Sequence, residues 1–172
     1  MTDAPINIRP ARDTDGDGIA AVIAWIFSQY PDCPFDRVAE FPELDAIASA
    51  FSDRFGRIWV AEVDERVVGS FAVAQTGDQT VFELFKVYLL PEARGRGVAR
   101  TMLDMALSHA GRCGAESVRL WSDTRFVEGH VFYRKNGFRQ LPVHRYLADL
   151  GRTWEIGFTK SLVDDKMGEG NR

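Results

Sequence analysis

The chain has 172 residues, 45% hydrophobic and 27% charged; that is enough for one packed core, too few for two ordinary ones, and neither disordered nor fibrous in composition. A formal net charge of −4 speaks against nucleic acid as a partner, which would need a basic face. No apolar run approaches the ~20 residues that span a bilayer, and Met1–Ile8 lacks the basic and apolar regions of a secretory signal. Cys33 and Cys113 lie far apart without metal-type spacing and read as free thiols of a reducing compartment. A cytoplasmic domain is expected, with neither membrane nor nucleic acid as partner.

Ile6–Arg9 reads as a short extended segment ended by Pro10. Thr14 or Asp15 is placed to cap a helix through about Ser28, with Ile19, Val22, Ile23, Ile26 and Phe27 on one side. The run Tyr30-Pro31-Asp32-Cys33-Pro34 is a loop, because proline is excluded from a helix interior. A second helix is predicted from near Pro42 to Phe51. Three strands follow: Arg57–Val63, Val67–Gln75 and Thr80–Leu90, the first two joined by the turn Asp64-Glu65-Arg66. Pro91 stops the third, and a glycine-bearing loop leads into a helix from Gly97 to about Cys113, ended by Gly114. Glu116–Trp121 is strand-like, Glu128–Lys135 helical, and Arg152–Thr159 a last strand. The expected fold is α/β (α+β), a mixed sheet flanked by helices, in one domain over residues 1–163. Residues 164–172, polar and glycine-bearing, read as a mobile tail.

The chemistry concentrates in Arg94-Gly95-Arg96-Gly97-Val98-Ala99, between a strand and the amino end of a long helix. The first amides of a helix lack internal partners and point, with the dipole, at an anion placed there. Gly95 and Gly97 permit close backbone approach and positive φ. Arg94, Arg96 and Arg100 reverse the sign of an acidic chain locally, which suits a polyanionic ligand. A dinucleotide fingerprint would need a third glycine where Arg100 stands, and the P-loop pattern is absent. A solvated turn that merely caps a helix is the plain alternative.

The segment Lys86–Ala99 closely resembles the acetyl-CoA-binding segment of the GNAT superfamily of N-acyltransferases. Its pattern, [QR]-x-x-G-x-[GA], is matched by Arg94, Gly97 and Ala99, and Phe132-Tyr133-Arg134-Lys135-Asn136-Gly137-Phe138 fits a second family element some thirty residues on. The resemblance implies a mostly antiparallel sheet with splayed central strands and acetyl-CoA as co-substrate. Its pantetheine arm would lie beside Val87, Tyr88 and Leu89, and its diphosphate on Arg94, Gly95, Arg96, Gly97, Val98, Ala99 and Arg100. Many members carry Asn where this chain has Phe126, which puts a side-chain contact there in doubt. By resemblance, an amide in Val87–Leu89 is the oxyanion donor and Tyr133 protonates the departing thiolate; packing beside Phe132 and Phe138 is the plain reading of that tyrosine.

Glu83 is the candidate base. It shares a face with Val81, Phe85 and Val87 if the strand is regular, and desolvation there would raise its pKa. A β-bulge would invert that face, and pairing to Arg or Lys is the plain alternative; Asp123 is second. His109, His130 and His144 have no ligand spacing, so no metal is expected. By the same resemblance, the acceptor side is built from Trp25–Phe41 and Leu141–Trp154. Aromatic Trp25, Tyr30 and Phe35 with acidic Asp32 and Asp36 could there receive an amine with an apolar substituent; core and solvated loop is the plain reading of the same residues. The expected activity is acetyl transfer to a small primary amine or an amino-acid-like metabolite by direct attack in a ternary complex. A protein or peptide amino-terminal acetyltransferase and a non-catalytic acyl-CoA-binding module are the alternatives, and a homodimer is left open.

Overall fold

A computed structural model describes residues 4–163; the tail expected to be mobile lies outside them. Seven strands, β1 (Asn7–Pro10), β2 (Arg57–Val63), β3 (Arg66–Gln75), β4 (Val81–Leu89), β5 (Ser117–Asp123), β6 (Arg139–Tyr146) and β7 (Trp154–Ser161), form one sheet. Their spatial order is β1-β2-β3-β4-β5-β7-β6. Every neighbouring pair is antiparallel except β4 and β5. Helices α1 (Gly16–Phe27), α2 (Arg37–Glu40) and α3 (Ile47–Ser52) lie on one side of the sheet, and α4 (Val98–Arg112) and α5 (Val127–Lys135) on the other. Aromatic contacts fix the sides: Phe27 and Phe51 meet Tyr88 and Phe85, whereas His109 and Phe132 meet Trp59 and Phe71. None of the described helices is long and apolar enough to cross a membrane.

The central strand β3 is buried from Val67 to Ala74, as a nearly continuous apolar run packed on both faces should be. Ile19, Val22, Ile23 and Ile26 of α1 and Met102, Leu103, Ala106 and Ala110 of α4 close the two halves of the core. Both helices bury the stripe expected of a 3.6-residue period. The helix predicted over 42–51 is divided. Pro42–Ala46 is a 3-10 turn, and Ala46, at φ −147°, breaks the run before α3 begins. Sequence reading also missed α2, where the Asp36 carboxylate accepts from the amides of Val38 and Ala39, and it did not locate β6. That strand is exposed at nearly every position, so it carries no apolar alternation to detect.

β4 is irregular in two places. Ser70 faces Tyr88 and Ala72 faces Phe85, so β4 holds one extra residue between them, a bulge at Lys86 with φ +51°. Glu83 and Phe85 therefore share a face with Tyr88 and not with Val87, which corrects the regular-strand expectation. The fully buried Ser70 hydroxyl donates to the Lys86 carbonyl at 2.6 Å, satisfying a group that the bulge removes from the ladder. The second irregularity is at the parallel junction. β4 and β5 pair only over Val81–Ser117, Phe82–Val118 and Glu83–Arg119. Beyond Glu83 the strands part, leaving the β5-facing edge of β4 without a strand neighbour. The fold is the mixed, mostly antiparallel sheet with splayed central strands that was expected.

Candidate active site

The parting of β4 and β5 opens two cavities that meet. The first, about 400 Å³, is lined by Val87, Tyr88 and Leu89 and by Arg94, Gly95, Gly97, Val98, Ala99 and Arg100. Gly95 and Gly97 have φ of +70° and +76°, and a Cβ at either would meet nothing within 4 Å. Backbone conformation, not crowding, requires glycine here. Gly97 is the N-cap of α4 and offers no side-chain bond, so the first amides of that helix are left facing the cavity. The arrangement fits an elongated anionic ligand, with amides for its charged end and an unpaired strand edge for its arm.

The arginines are more committed than their number suggests. Arg94 bonds the Leu89 carbonyl and Glu128, while Arg100 bonds Asp104 and Asn136. Arg96 does not line the cavity; its guanidinium donates to the Ala4 carbonyl at 2.9 Å. Of the loop residues expected to bind the cofactor, Arg96 alone lies outside the cavity lining. Phe126, standing where an amide side chain was the family expectation, packs on Tyr30 and Phe27 at centroid distances of 4.9 and 5.8 Å. It supplies an apolar wall.

The second cavity, about 440 Å³, lies on the α1 side. Its walls come from the loop after α1 (Cys33, Pro34), the end of α2 (Glu40, Phe41), β4, β5 and the connection from β6 to β7 (Leu147, Asp149, Gly151, Thr153). These are the two segments expected on the acceptor side, though not the residues singled out there. Trp25, Asp32, Phe35 and Asp36 line neither cavity, and Tyr30 lines the first. Val87, Tyr88, Ser122, Phe126 and Tyr133 line both and form the junction.

Tyr133 is brought to that junction by α5, its ring against Phe132, Phe138 and Phe158 at 5.7–5.9 Å. Burial alone pushes its phenol well above the usual tyrosine range, so it stays protonated at working pH. Tyr88 is raised in the same way, chiefly by burial and then by Tyr133. His130, buried, bonds the Asp123 carbonyl through Nε2 at 2.9 Å and ties α5 to the end of β5; burial lowers its pKa. His109 is bonded instead to the Phe55 carbonyl, away from both cavities.

Three carboxylates sit deep in the second cavity, each with an arginine. Glu83 accepts from Arg119 at 2.7 Å, so the expected unpaired, desolvated carboxylate is instead an ion pair. Burial works against the charged form of Asp123, but the Arg125 fork, at 2.9 and 2.7 Å, outweighs it and lowers the pKa. Glu155, opposite Asp123 in the β5–β7 ladder, is pushed up by burial, with Asp123 and Glu83 adding to the rise and Arg145 offsetting part of it. Sequence reading did not single out Glu155, a lone acid in a strand with little to distinguish it.

A family model described as an acetyltransferase (GNAT) domain matches residues 54–140. An uncharacterized N-acetyltransferase of Mycobacterium tuberculosis is 33% identical over 132 residues, covering 73% of this chain and 84% of its own length. One from Escherichia coli is 31% identical over 132 residues, covering 74% and 78%. Among solved structures, a GNAT acetyltransferase of Staphylococcus aureus superposes with a TM-score of 0.78 at 19% identity, over 92% of this chain and 99% of the other. YncA of Salmonella typhimurium, solved with its cofactor acetyl-CoA, superposes with a TM-score of 0.72 at 19% identity, over 91% and 94%.

Proposed function

Because the chain belongs to the GNAT acetyltransferase family, we propose that residues 1–163 form one catalytic domain that acetylates the primary amine of a small metabolite from acetyl-CoA, by direct attack with both substrates bound. The observation that carries this reading is the meeting of two separate cavities on Val87, Tyr88, Ser122, Phe126 and Tyr133. Acetyl-CoA supplies an activated acyl thioester. The amides at the start of α4 would hold its diphosphate, and the unpaired edge of β4 from Val87 to Leu89 would hold its arm as an added strand. A structural relative binds acetyl-CoA, which supports the assignment.

Within the junction, a main-chain amide of Val87–Leu89 stabilises charge on the carbonyl oxygen, and the Tyr133 hydroxyl gives a proton to the leaving sulfur. Its raised pKa makes it a weaker acid than a free phenol and keeps it a hydrogen-bond donor at every physiological pH. The amine's proton passes through solvent to a carboxylate of the second cavity, Glu155, while Glu83 stays paired with Arg119. Loops wall that cavity on two sides, and this enclosure favours a small acceptor over a polypeptide amino terminus. Exchange of Tyr133 for Phe tests the scheme on an amine panel read by release of the CoA thiol. Turnover should fall by about 10²–10⁴-fold while the CoA dissociation constant holds. Equal turnover, with chemistry rate-limiting, returns Tyr133 to packing alone.

A further inference from the structure

The charges of the acceptor cavity narrow the amine, on the reading that a small amine binds there. Five carboxylates (Glu40, Glu83, Asp123, Asp149 and Glu155) and three cations (Lys86, Arg125 and Arg145) line it. Each cation is already engaged. Arg125 spends Nε and Nη2 on the two oxygens of Asp123, and Nη1 on the carbonyls of Pro31 and Asp32, the latter at 2.6 Å. Lys86 Nζ stands 2.5 Å from Glu43, which lies outside the cavity, and 4.7 Å from the centre of the Phe41 ring. Arg145 bonds Glu155 at 2.5 Å and lies over the Trp121 ring at 4.5 Å.

The carboxylates are not all matched in turn. Glu83 has Arg119, but Glu40 and Asp149 have no cation within salt-bridge distance among the described residues. Asp149 takes the backbone amide of Arg152 instead. A carboxylate on the incoming amine would thus enter a partly desolvated space of net negative charge with no free cation to meet it, and like charges brought together there are costly. Aromatic rings also line it, among them Phe27, Phe41, Trp121 and Phe126. We infer that the acceptor is an amine that carries no carboxylate, so that amino acids are discriminated against in favour of the corresponding decarboxylated amines.

Matched pairs differing by that one group decide it: cadaverine against lysine, tyramine against tyrosine, phenethylamine against phenylalanine. Each is assayed for CoA thiol release at one pH, with tyrosine amide as a neutral control for bulk. The carboxylate-free member of each pair should show kcat/KM at least ~10-fold higher, and tyrosine amide should behave like tyramine. The α-amine of an amino acid is the less basic, so its larger neutral fraction works against this outcome and does not imitate it. Glu43→Gln releases Lys86 from its partner and should raise kcat/KM for the carboxylated members, narrowing the ratio; a thermal melt checks that the variant is folded. Equal or reversed preference in the wild-type protein overturns the inference while leaving the amine reading intact. If acetyl-CoA binds by calorimetry but no amine in any pair releases thiol, the small-amine reading fails and takes the inference with it.

Discussion

Ser70→Ala probes how β4 is shaped. The hydroxyl is fully buried and donates to the carbonyl of Lys86, the left-handed residue of the bulge. A lysine at φ +51° carries roughly 1–2 kcal/mol of strain, which the surrounding bonds must offset. Removing the hydroxyl leaves a buried carbonyl without its partner, at a cost of about 1–3 kcal/mol, and the missing oxygen opens little extra volume. For a chain of this size each kcal/mol moves the melting temperature by about 2–4 °C, so a drop of about 2–12 °C is expected. Urea unfolding gives the free energy directly. Because Val87–Leu89 follows the bulge, the KM for acetyl-CoA should rise as well, at temperatures where the variant is fully folded. A variant within ~0.5 kcal/mol of wild type with unchanged kinetics would refute the bulge as the device that aims this edge.

Gly97→Val sets a β-branched residue at φ +76° on the N-cap of α4; CoA affinity by calorimetry should fall at least ~10-fold, and unchanged affinity would remove the diphosphate from this loop. Glu155 is tested by pH. Burial pushes Glu155 up, so its base form is gained as pH rises through that raised value, and turnover should rise with it. Glu155→Gln should flatten this acidic limb, read as turnover against pH. An unchanged acidic limb in the Glu155 variant would remove Glu155 from the proton path.

The long elements were legible because their burial is periodic or continuous: α1, α4 and β3 each present a run that one neighbouring layer explains. The loop at Gly95 and Gly97 was legible for a local reason, since positive φ at a helix start leaves a mark in residue type. What the sequence hid is long-range. The left-handed Lys86 depends on a serine sixteen residues away on another strand, and Glu83 is quenched by an arginine brought beside it by the parallel β4–β5 contact. Reading Glu83 by its apolar neighbours in the chain gave desolvation; reading it by its neighbours in space gives a pair. The exposed β6 and the short α2, fixed mainly by contacts and a cap, left no periodic trace.

The three-residue contact between β4 and β5 also makes the sheet unfinished by design. Its centre, ordinarily the last place to leave hydrogen bonds open, has an unpaired strand edge beyond Glu83. A pantetheine arm held there would be structural mortar as well as cargo, and its contribution would follow mass action: about 2.7 kcal/mol at a hundredfold excess over its dissociation constant. The stability of the folded chain would then follow the concentration of that ligand. Depletion would both starve the reaction and loosen the enzyme, coupling abundance to acyl-CoA level without a dedicated regulatory site.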